Sequence, residues 1–180
     1  MEMSALDRAR RVRLLTCDVD GVLTDGKIYV NEHGGEAKAF SVLDGVGLKL
    51  LARAGIAVAW ITGSNAPAVE HRARMLGVEH VLLDAGDKLA SWTALRRELA
   101  IPDTECAHIG DDLPDLPILR VCGFAVAVPH APAVVREHAH YVTDRDGGSG
   151  AVRELAELIL AAQGKGPAAL QWQDPPPRAA

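Results

Sequence analysis

The sequence predicts an α/β fold, a Rossmann-like parallel sheet flanked by helices, from two observations. Short apolar runs alternate with amphipathic stretches along most of the 180 residues. Such alternation is typical of right-handed β-α-β units, whose strands pair in parallel. The composition, 48% hydrophobic and 24% charged, also suits one compact domain with a sizeable core.

The elements follow one another in a regular order. The predicted strands cover residues 12–17, 57–61, 80–83, 107–109 and 124–128, with a short sixth strand at 141–142. The predicted helices cover residues 46–54, 66–76, 89–99, 113–121 and 131–137, and a last helix covers 151–161. The helix at 66–76 has clear boundary signals, because Pro67 falls in its first turn and Gly77 follows its end.

One segment interrupts this alternation between the first strand and the first helix. Its ends, "KIYV" and "EAKAF", flank the turn-forming sequence "NEHGG", which predicts a β-hairpin at about residues 27–41. We expect one domain over residues 1–163. Residues 164–180 become Pro-rich near their end, and we expect them to form a flexible C-terminal tail.

Composition also bears on partners and compartment. The net charge is −5 and no basic stripe occurs, which argues against a nucleic-acid partner. No apolar run approaches the roughly 20 residues of a membrane helix, and no signal peptide is visible, so we expect no membrane partner. Cys17, Cys106 and Cys122 form no C-x-x-C pair and are predicted to be reduced thiols, which favours a cytoplasmic location.

Polar residues follow four of the predicted strands. Asp18 and Asp20 follow the first strand, Thr62 and Gly63 follow the second, Lys88 comes shortly after the third, and "GDD" at residues 110–112 follows the fourth. In an open parallel sheet, ligands bind beyond the carboxyl ends of the strands. We therefore expect these groups to converge on one crevice.

Such a set of groups indicates phosphoryl transfer with a carboxylate nucleophile. Asp18 would attack phosphorus and form an aspartyl-phosphate, and Asp20 would protonate the leaving alcohol and later activate water. The carboxylates of Asp18 and Asp111 can hold Mg²⁺, which prefers oxygen ligands. The phosphate would be bound by the Thr62 hydroxyl, the Gly63 N–H and the Lys88 ammonium.

Each motif alone also has an ordinary structural explanation. A D-x-D is common in turns, "TGS" can be a helix cap, a single lysine is commonly a solvated helix residue and "GDD" can be a loop. The functional interpretation is favoured because all four motifs fall at the ends of predicted strands and in the right order.

The motifs "DVDGVLTDG", "ITGS", "DK" and "GDDLPDLP" resemble, in order, the four motifs of haloacid dehalogenase-like phosphatases. The resemblance is strongest to the branch that lacks a cap domain and hydrolyses 3-deoxy-D-manno-octulosonate 8-phosphate (KDO 8-phosphate). Members of that branch carry a hairpin after the first motif and a Gly-rich segment like "GGSGAVREL" before the last helix. The resemblance covers roughly residues 12–163.

The resemblance implies a Mg²⁺-dependent phosphatase of KDO 8-phosphate that serves lipopolysaccharide precursor synthesis. It implies Asp18 as nucleophile, Asp20 as acid/base, and Asp18, Asp111 and the main-chain oxygen of Asp20 as metal ligands. It implies phosphate binding by Thr62, Gly63 and Lys88. The substrate-binding positions that it implies are Ser41, Val42, Leu43, Asp44, Gly45, Lys49 and Arg72. It also implies a homotetramer in which a neighbouring subunit covers the mouth of the site.

The chain departs from the family pattern at three positions where arginine is usual: Lys49, Ser64 and Ser149. These positions concern the sugar acid or the subunit interface, so the identity of the substrate is less secure than the chemistry. Two alternatives with the same chemistry are a phosphatase of a related nine-carbon sugar acid 9-phosphate and a broader sugar phosphatase. The others are a non-catalytic assembly domain and a phosphate-accepting receiver domain, which would lack the D-x-D acid/base and the hairpin.

Overall fold

The computed structural model describes residues 3–166. Its centre is a six-stranded sheet in which every neighbouring pair is parallel. The strands are β1 (Leu14–Cys17), β4 (Ala57–Ile61), β5 (His80–Leu82), β6 (Cys106–Gly110), β7 (Phe124–Ala127) and β8 (Tyr141–Val142). Their spatial order is β5-β4-β1-β6-β7-β8, so the predicted parallel α/β fold is confirmed.

The central strands are buried because they consist almost wholly of apolar or small residues. All residues of β1, β6 and β7 are buried, as expected for parallel strands covered on both faces. Strand β1 lies between β4 and β6, with Cys17 paired to Trp60 on one side and to Ile109 on the other. The residues that follow these three strands therefore emerge side by side at one edge of the sheet.

Seven α-helices occur within residues 3–166: α1 (Ala5–Ala9), α2 (Val42–Arg53), α3 (Pro67–Leu76), α4 (Lys88–Glu98), α5 (Leu116–Leu119), α6 (Ala133–Arg136) and α7 (Ala151–Ala162). Helix α7 packs against both α1 and α2, and α4 packs against α5. None of the described helices has the length and apolar character that a membrane span requires.

The predicted hairpin is present as a separate two-stranded sheet. Strands β2 (Tyr29–Val30) and β3 (Glu36–Ala37) pair antiparallel. The turn between them is stabilised by Asn31, whose side-chain oxygen accepts hydrogen bonds from the N–H groups of His33 and Gly35. The strands are exposed, and Ile28 and Val30 present apolar side chains to solvent.

The structure differs from the predicted elements in three places. Helix α2 begins at Val42, four residues before the predicted start, because the Ser41 hydroxyl caps it by accepting from the Leu43 N–H. Helix α1 was not predicted. The predicted helix at 113–121 is a 3₁₀ turn, Leu113–Asp115, followed by the short α5. Most of the predicted tail, residues 167–180, lies outside the described part of the chain.

Candidate active site

The carboxyl ends of β1, β4 and β6 open into a crevice of about 430 Å³, here called the acidic crevice. It contains every residue predicted for catalysis, phosphate binding or metal binding. Its lining residues are Asp18, Asp20, Thr62, Gly63, Ser64, Ala85, Gly86, Lys88, Asp111, Asp112, Pro114 and Asp115.

Asp18 and Lys88 form a buried ion pair at the centre of the acidic crevice. Asp18 comes directly after the buried strand β1, and Lys88 is the first residue of α4, whose N-cap is Asp87. The Lys88 Nζ donates to Asp18 Oδ1 at 2.7 Å, and both side chains are 8% exposed. The carboxylate is therefore fixed by an ammonium group that faces the same space.

Asp115 completes this pair and was missed in the sequence. Lys88 Nζ also donates to Asp115 Oδ1, at 2.8 Å. The other carboxylate oxygen accepts weaker hydrogen bonds from the N–H groups of Asp111 and Asp112, at 3.2 and 3.4 Å. A signal was available: Asp115 follows Asp112 by three residues, the spacing of a capping box, and the structure has one there.

A buried histidine lies beneath Asp115. His108 is fully buried on β6, and its Nε2 lies 3.1 Å from Asp115 Oδ1, a carboxylate oxygen that can only accept. Its Nδ1 lies 2.8 Å from the Thr16 hydroxyl on the adjacent strand β1. Thr16, His108 and Asp115 thus connect the interior of the sheet to Lys88.

Asp111 follows β6 and approaches Asp18, so that one carboxylate oxygen of each lies within 4.8 Å of the other. Gly21 makes this approach feasible, since a Cβ at that position would overlap the Asp111 carboxylate and its φ of +91° disfavours other residues. The glycine of "DVDG" therefore leaves room for an acid that comes from a different strand.

Their surroundings give Asp18, Asp111 and Asp115 three different pKa values. Burial and the charge of Asp115 raise the pKa of Asp18 to about 8, although Lys88 opposes the shift. Burial likewise raises the pKa of Asp111 to about 6. Burial acts in the same direction on Asp115, but the hydrogen bond and charge of His108, together with Lys88, hold its pKa at about 2.

The donor set suits a divalent cation. One carboxylate oxygen each from Asp18, Asp111 and Asp115 lies within 4.8 Å of the others. Three carboxylates face one ammonium in this space, so their mutual repulsion favours the binding of a further cation, and Mg²⁺ prefers oxygen ligands of this kind. Both carboxylate oxygens of Asp115 already accept hydrogen bonds, Oδ1 from Lys88 and Oδ2 from two N–H groups, so Asp18 and Asp111 are better placed to offer an oxygen to a metal ion.

Thr62 and Gly63 form the opposite wall of the acidic crevice, at the end of β4. Thr62 is 2% exposed, and its side-chain oxygen accepts from the Ser64 N–H at 3.0 Å. Its hydroxyl hydrogen therefore stays available to a ligand. Gly63 is exposed, with open space beside its Cα.

Asp20 lies at the mouth of the acidic crevice and is bound by a lysine from the hairpin. Lys38 Nζ donates to Asp20 Oδ1 at 2.6 Å and to Glu36 Oε1 at 2.7 Å. Burial lowers the pKa of Lys38, but the hydrogen bonds to these two carboxylates outweigh it and raise the pKa above its ordinary value. Lys38 was not predicted as a site residue.

All seven predicted substrate-binding residues lie outside the lining of the acidic crevice. Arg72 on α3 donates to the Ser41 carbonyl at 3.3 Å, and its guanidinium fits against Gly45 of α2. A small cavity of about 170 Å³ lies between these helices. We call this region the Arg72 surface; its residues are Ser41, Val42, Gly45, Val46, Lys49, Arg72 and Leu76.

Two predicted substrate-binding residues are not part of the Arg72 surface. Asp44 is 1% exposed, and its carboxylate accepts from the N–H groups of Gly150 and Arg153 at the start of α7. This contact gives Asp44 a structural role, since it joins α2 to α7 and caps the latter. Leu43 is 46% exposed and points to neither cavity.

Known proteins resemble the chain over most of its length. A family model described as haloacid dehalogenase-like hydrolase matches residues 77–155. A 3-deoxy-D-manno-octulosonate 8-phosphate phosphatase from Yersinia pestis is 46% identical over 160 residues, which cover 89% of this chain and 86% of the relative. The enzyme of that name from Escherichia coli K12 is 45% identical over 158 residues, covering 88% and 84%.

Solved structures give the same result. The 3-deoxy-D-manno-octulosonate 8-phosphate phosphatase of Moraxella catarrhalis, in complex with magnesium ion, phosphate ion and KDO, superposes with a TM-score of 0.89 at 44% identity. The match covers 91% of this chain and 94% of that chain. A cobalt-bound phosphatase of related name from Haemophilus influenzae has a TM-score of 0.86 at 36% identity, covering 88% and 93%.

Proposed function

Because the chain belongs to the 3-deoxy-D-manno-octulosonate 8-phosphate phosphatase family of haloacid dehalogenase-like hydrolases, we propose that it hydrolyses KDO 8-phosphate to KDO and phosphate. It is a phosphoric monoester hydrolase that uses Mg²⁺. The observation that carries the proposal is the buried Asp18–Lys88 ion pair, with Asp20 and Asp111 in the same crevice. A scaffold domain has no need of three carboxylates that repel one another.

In the first step, an Asp18 oxygen attacks phosphorus, and the bond between phosphorus and the sugar oxygen breaks. Asp20 gives its proton to that oxygen, which leaves as the alcohol. In the second step, water attacks the aspartyl-phosphate while Asp20 takes a proton from the water. The bond between phosphorus and Asp18 then breaks, which regenerates the carboxylate and releases phosphate.

Lys88, Thr62 and Gly63 are the proposed phosphate ligands. Lys88 is fixed by Asp18 and Asp115, so its ammonium is oriented before the substrate arrives. Thr62 offers its hydroxyl and Gly63 its N–H from the facing wall. Charge-assisted and oriented donors of this kind stabilise the charge that develops on the phosphoryl oxygens.

Asp18, Asp111 and the main-chain oxygen of Asp20 are the proposed Mg²⁺ ligands. When bound, the ion offsets the repulsion between the anionic nucleophile and the anionic substrate. Burial and the charge of Asp115 raise the pKa of Asp18 to about 8 even with Lys88 beside it, so a second cation at this place would favour the ionised nucleophile.

The Arg72 surface is the proposed contact for the sugar acid. Arg72 also lines a shallow cavity together with Lys38, and Lys38 binds Asp20 at the mouth of the acidic crevice. A substrate with its phosphate in the crevice would therefore extend toward Arg72. A guanidinium binds a carboxylate through two parallel hydrogen bonds, which suits the acid end of the sugar.

The exposed hairpin favours the homotetramer that the resemblance implies. A two-stranded ribbon is marginal alone, and this one carries Ile28 and Val30 at 69% and 64% exposure. Burying these side chains against symmetry-related hairpins would also cover the open mouth of the site. Light scattering on the native protein tests this, and a monomer at working concentration would contradict it.

The main test is a substrate panel measured by phosphate release, with and without Mg²⁺. We expect Mg²⁺-dependent release from KDO 8-phosphate with the highest kcat/KM of the panel. A related nine-carbon sugar acid 9-phosphate is the second candidate, favoured by the serines at positions 64 and 149. If this compound or a simple hexose phosphate gives the highest kcat/KM, the KDO 8-phosphate assignment is wrong while the phosphatase assignment stands.

A further inference from the structure

The hairpin contributes a buried cation to the acidic crevice. The Lys38 side chain is 2% exposed, whereas the carboxylates it binds, on Asp20 and Glu36, are 36% and 34% exposed. Asp20 lies 18 residues before Lys38 in the chain, so the contact links the hairpin to the segment after β1 that carries Asp18 and Asp20. Within residues 3–166, Lys38 is the only side chain that is hydrogen-bonded to the Asp20 carboxylate.

We propose that Lys38 is a positioning residue for the acid/base step, because it determines which oxygen of Asp20 faces the substrate. This proposal rests on the phosphatase function proposed above. Lys38 occupies Oδ1, and an oxygen that accepts from an ammonium is a poor place for a proton. The proton that Asp20 transfers must then lie on Oδ2.

The physical reason lies in the torsional freedom of an aspartate side chain. Rotation about its last bond is broad and nearly two-fold, so a partly exposed carboxyl exchanges its two oxygens easily. An acid that presents the wrong oxygen must rotate before it can protonate the leaving group. A fixed hydrogen-bond partner on one oxygen removes this rotation and orients the other oxygen toward the substrate. The acid is then preorganised for proton transfer.

The hairpin is held firmly enough to act in this way. Two residues after Lys38, Phe40 stacks on the fully buried Trp60 of β4, with ring centroids 6.0 Å apart and an angle of 12° between the planes. Glu36 holds Lys38 from its other side. The ammonium group is therefore fixed at the base of the hairpin, independently of the exposed tip.

The test uses two substrates that differ in how much their leaving group needs a proton. A sugar alkoxide requires protonation, whereas p-nitrophenolate leaves almost unaided. We expect Lys38→Met to lower the rate constant of the first half-turnover on KDO 8-phosphate at least about tenfold more than on p-nitrophenyl phosphate, with Lys38→Arg recovering part of the loss. The first turnover should be measured, so that the later hydrolysis step does not mask the difference.

The matched control is Lys27→Met. Lys27 is another hairpin lysine, but its ammonium is 3.6 Å from Asp25 and its side chain is 74% exposed. Lys27→Met should leave the rate of hydrolysis unchanged for both substrates. Equal losses on both substrates in Lys38→Met would overturn the proposal, because they would indicate a purely structural role. The absence of any loss would also overturn it, because Lys38 would then have no role in the reaction.

A double variant separates action through Asp20 from other effects. If Lys38 acts by orienting Asp20, Lys38→Met should cost nothing more in an Asp20→Asn background. A further loss there would mean that Lys38 acts on the substrate directly, and the proposal would be wrong. Should Lys38→Met not fold, Lys38→Gln, which keeps a hydrogen-bond donor of similar length without the charge, takes its place in both comparisons.

The outcomes for the two proposals are distinguishable. If the wild type leaves KDO 8-phosphate intact but hydrolyses another alkyl phosphate, the substrate assignment fails, and the Lys38 comparison is made with that alkyl phosphate. If the wild type hydrolyses no alkyl phosphate with Mg²⁺ present, both the proposed function and the role of Lys38 are wrong.

Discussion

The acidic crevice and the Arg72 surface differ in how completely the described chain builds them. In the crevice, Asp18, Lys88 and Asp115 are at most 8% exposed and already bind one another. At the Arg72 surface, by contrast, Val42 is 75% exposed and the cavity holds only about 170 Å³. The residues proposed for phosphoryl transfer are therefore already in place within one chain. The residues proposed to bind the sugar, by contrast, lie on an open surface. We expect substitutions in the two regions to have different consequences.

The largest effect should come from Asp18→Asn. The amide keeps the shape of the side chain but removes the nucleophile, so turnover should fall by several orders of magnitude on every phosphate ester. The fold should persist, which circular dichroism and thermal unfolding can check. Substantial activity in this variant would rule out the aspartyl-phosphate mechanism.

A second effect concerns only the acidic crevice: in the absence of metal, the free energy of unfolding should depend on pH. The pKa of Asp18 is raised from its ordinary 3.8 to about 8, so the folded state holds this proton more tightly than the unfolded state does. The stabilisation is complete below about pH 4 and is lost as the pH rises toward 8. The free energy of unfolding should fall by up to about 1.4 kcal/mol per pH unit across this range.

Denaturant unfolding in EDTA between pH 5 and pH 8 measures this slope. Asp115, with its pKa at about 2, contributes no slope in that range. Asp18→Asn should remove the slope above about pH 6, while Asp111, whose pKa is raised to about 6, still contributes below that pH. Arg72→Met, on the open surface, should leave the profile unchanged. An unaltered slope in Asp18→Asn would mean that Asp18 is ionised at neutral pH even without a cation.

The same contrast explains what could be predicted from the sequence. The central strands, α3 and the hairpin were predicted closely, because short apolar runs, Pro67, Gly77 and "NEHGG" act locally. Asp18, Asp20, Thr62, Lys88 and Asp111 were predicted to converge because each follows a strand of a parallel sheet, and all of them line one crevice.

The parts that were missed depend on contacts between distant segments. His108 had no visible role, since its contact with the Thr16 hydroxyl requires β1 and β6 to be adjacent. Among residues 3–166, the strands of the hairpin that carries Lys38 pair with each other and not with the large sheet, so no local pattern links Lys38 to Asp20. The carboxylate of Asp44, whose contact with substrate stays a prediction, binds the start of α7, more than 100 residues away in sequence, and no local pattern shows that contact.

A moderate effect should come from Arg72→Met. If the guanidinium binds the carboxylate of the sugar acid, its loss removes a charge-assisted contact of about 1.5–3 kcal/mol, or roughly ten- to a hundredfold in KM. Hydrolysis of p-nitrophenyl phosphate, which has no carboxylate, should be nearly unchanged. A matched control is Arg74→Met, on the same helix but outside both cavities. Equal changes on both substrates would remove Arg72 from substrate recognition.

The smallest effect should come from restoring the two arginines that are usual in the family. Ser64 is half-buried in the acidic crevice and Ser149 is exposed, so a new guanidinium at either place remains solvated and should contribute only about 0.5–1 kcal/mol. Ser64→Arg with Ser149→Arg should therefore lower KM for KDO 8-phosphate roughly two- to fivefold and leave p-nitrophenyl phosphate unchanged. If KM does not fall, and the nine-carbon sugar acid 9-phosphate is the better substrate of the wild type, the serines instead make room for the longer sugar. Ser64, at the crevice, and Ser149, outside it, would then set specificity, while the proposed chemistry of Asp18 and Asp20 is unaffected.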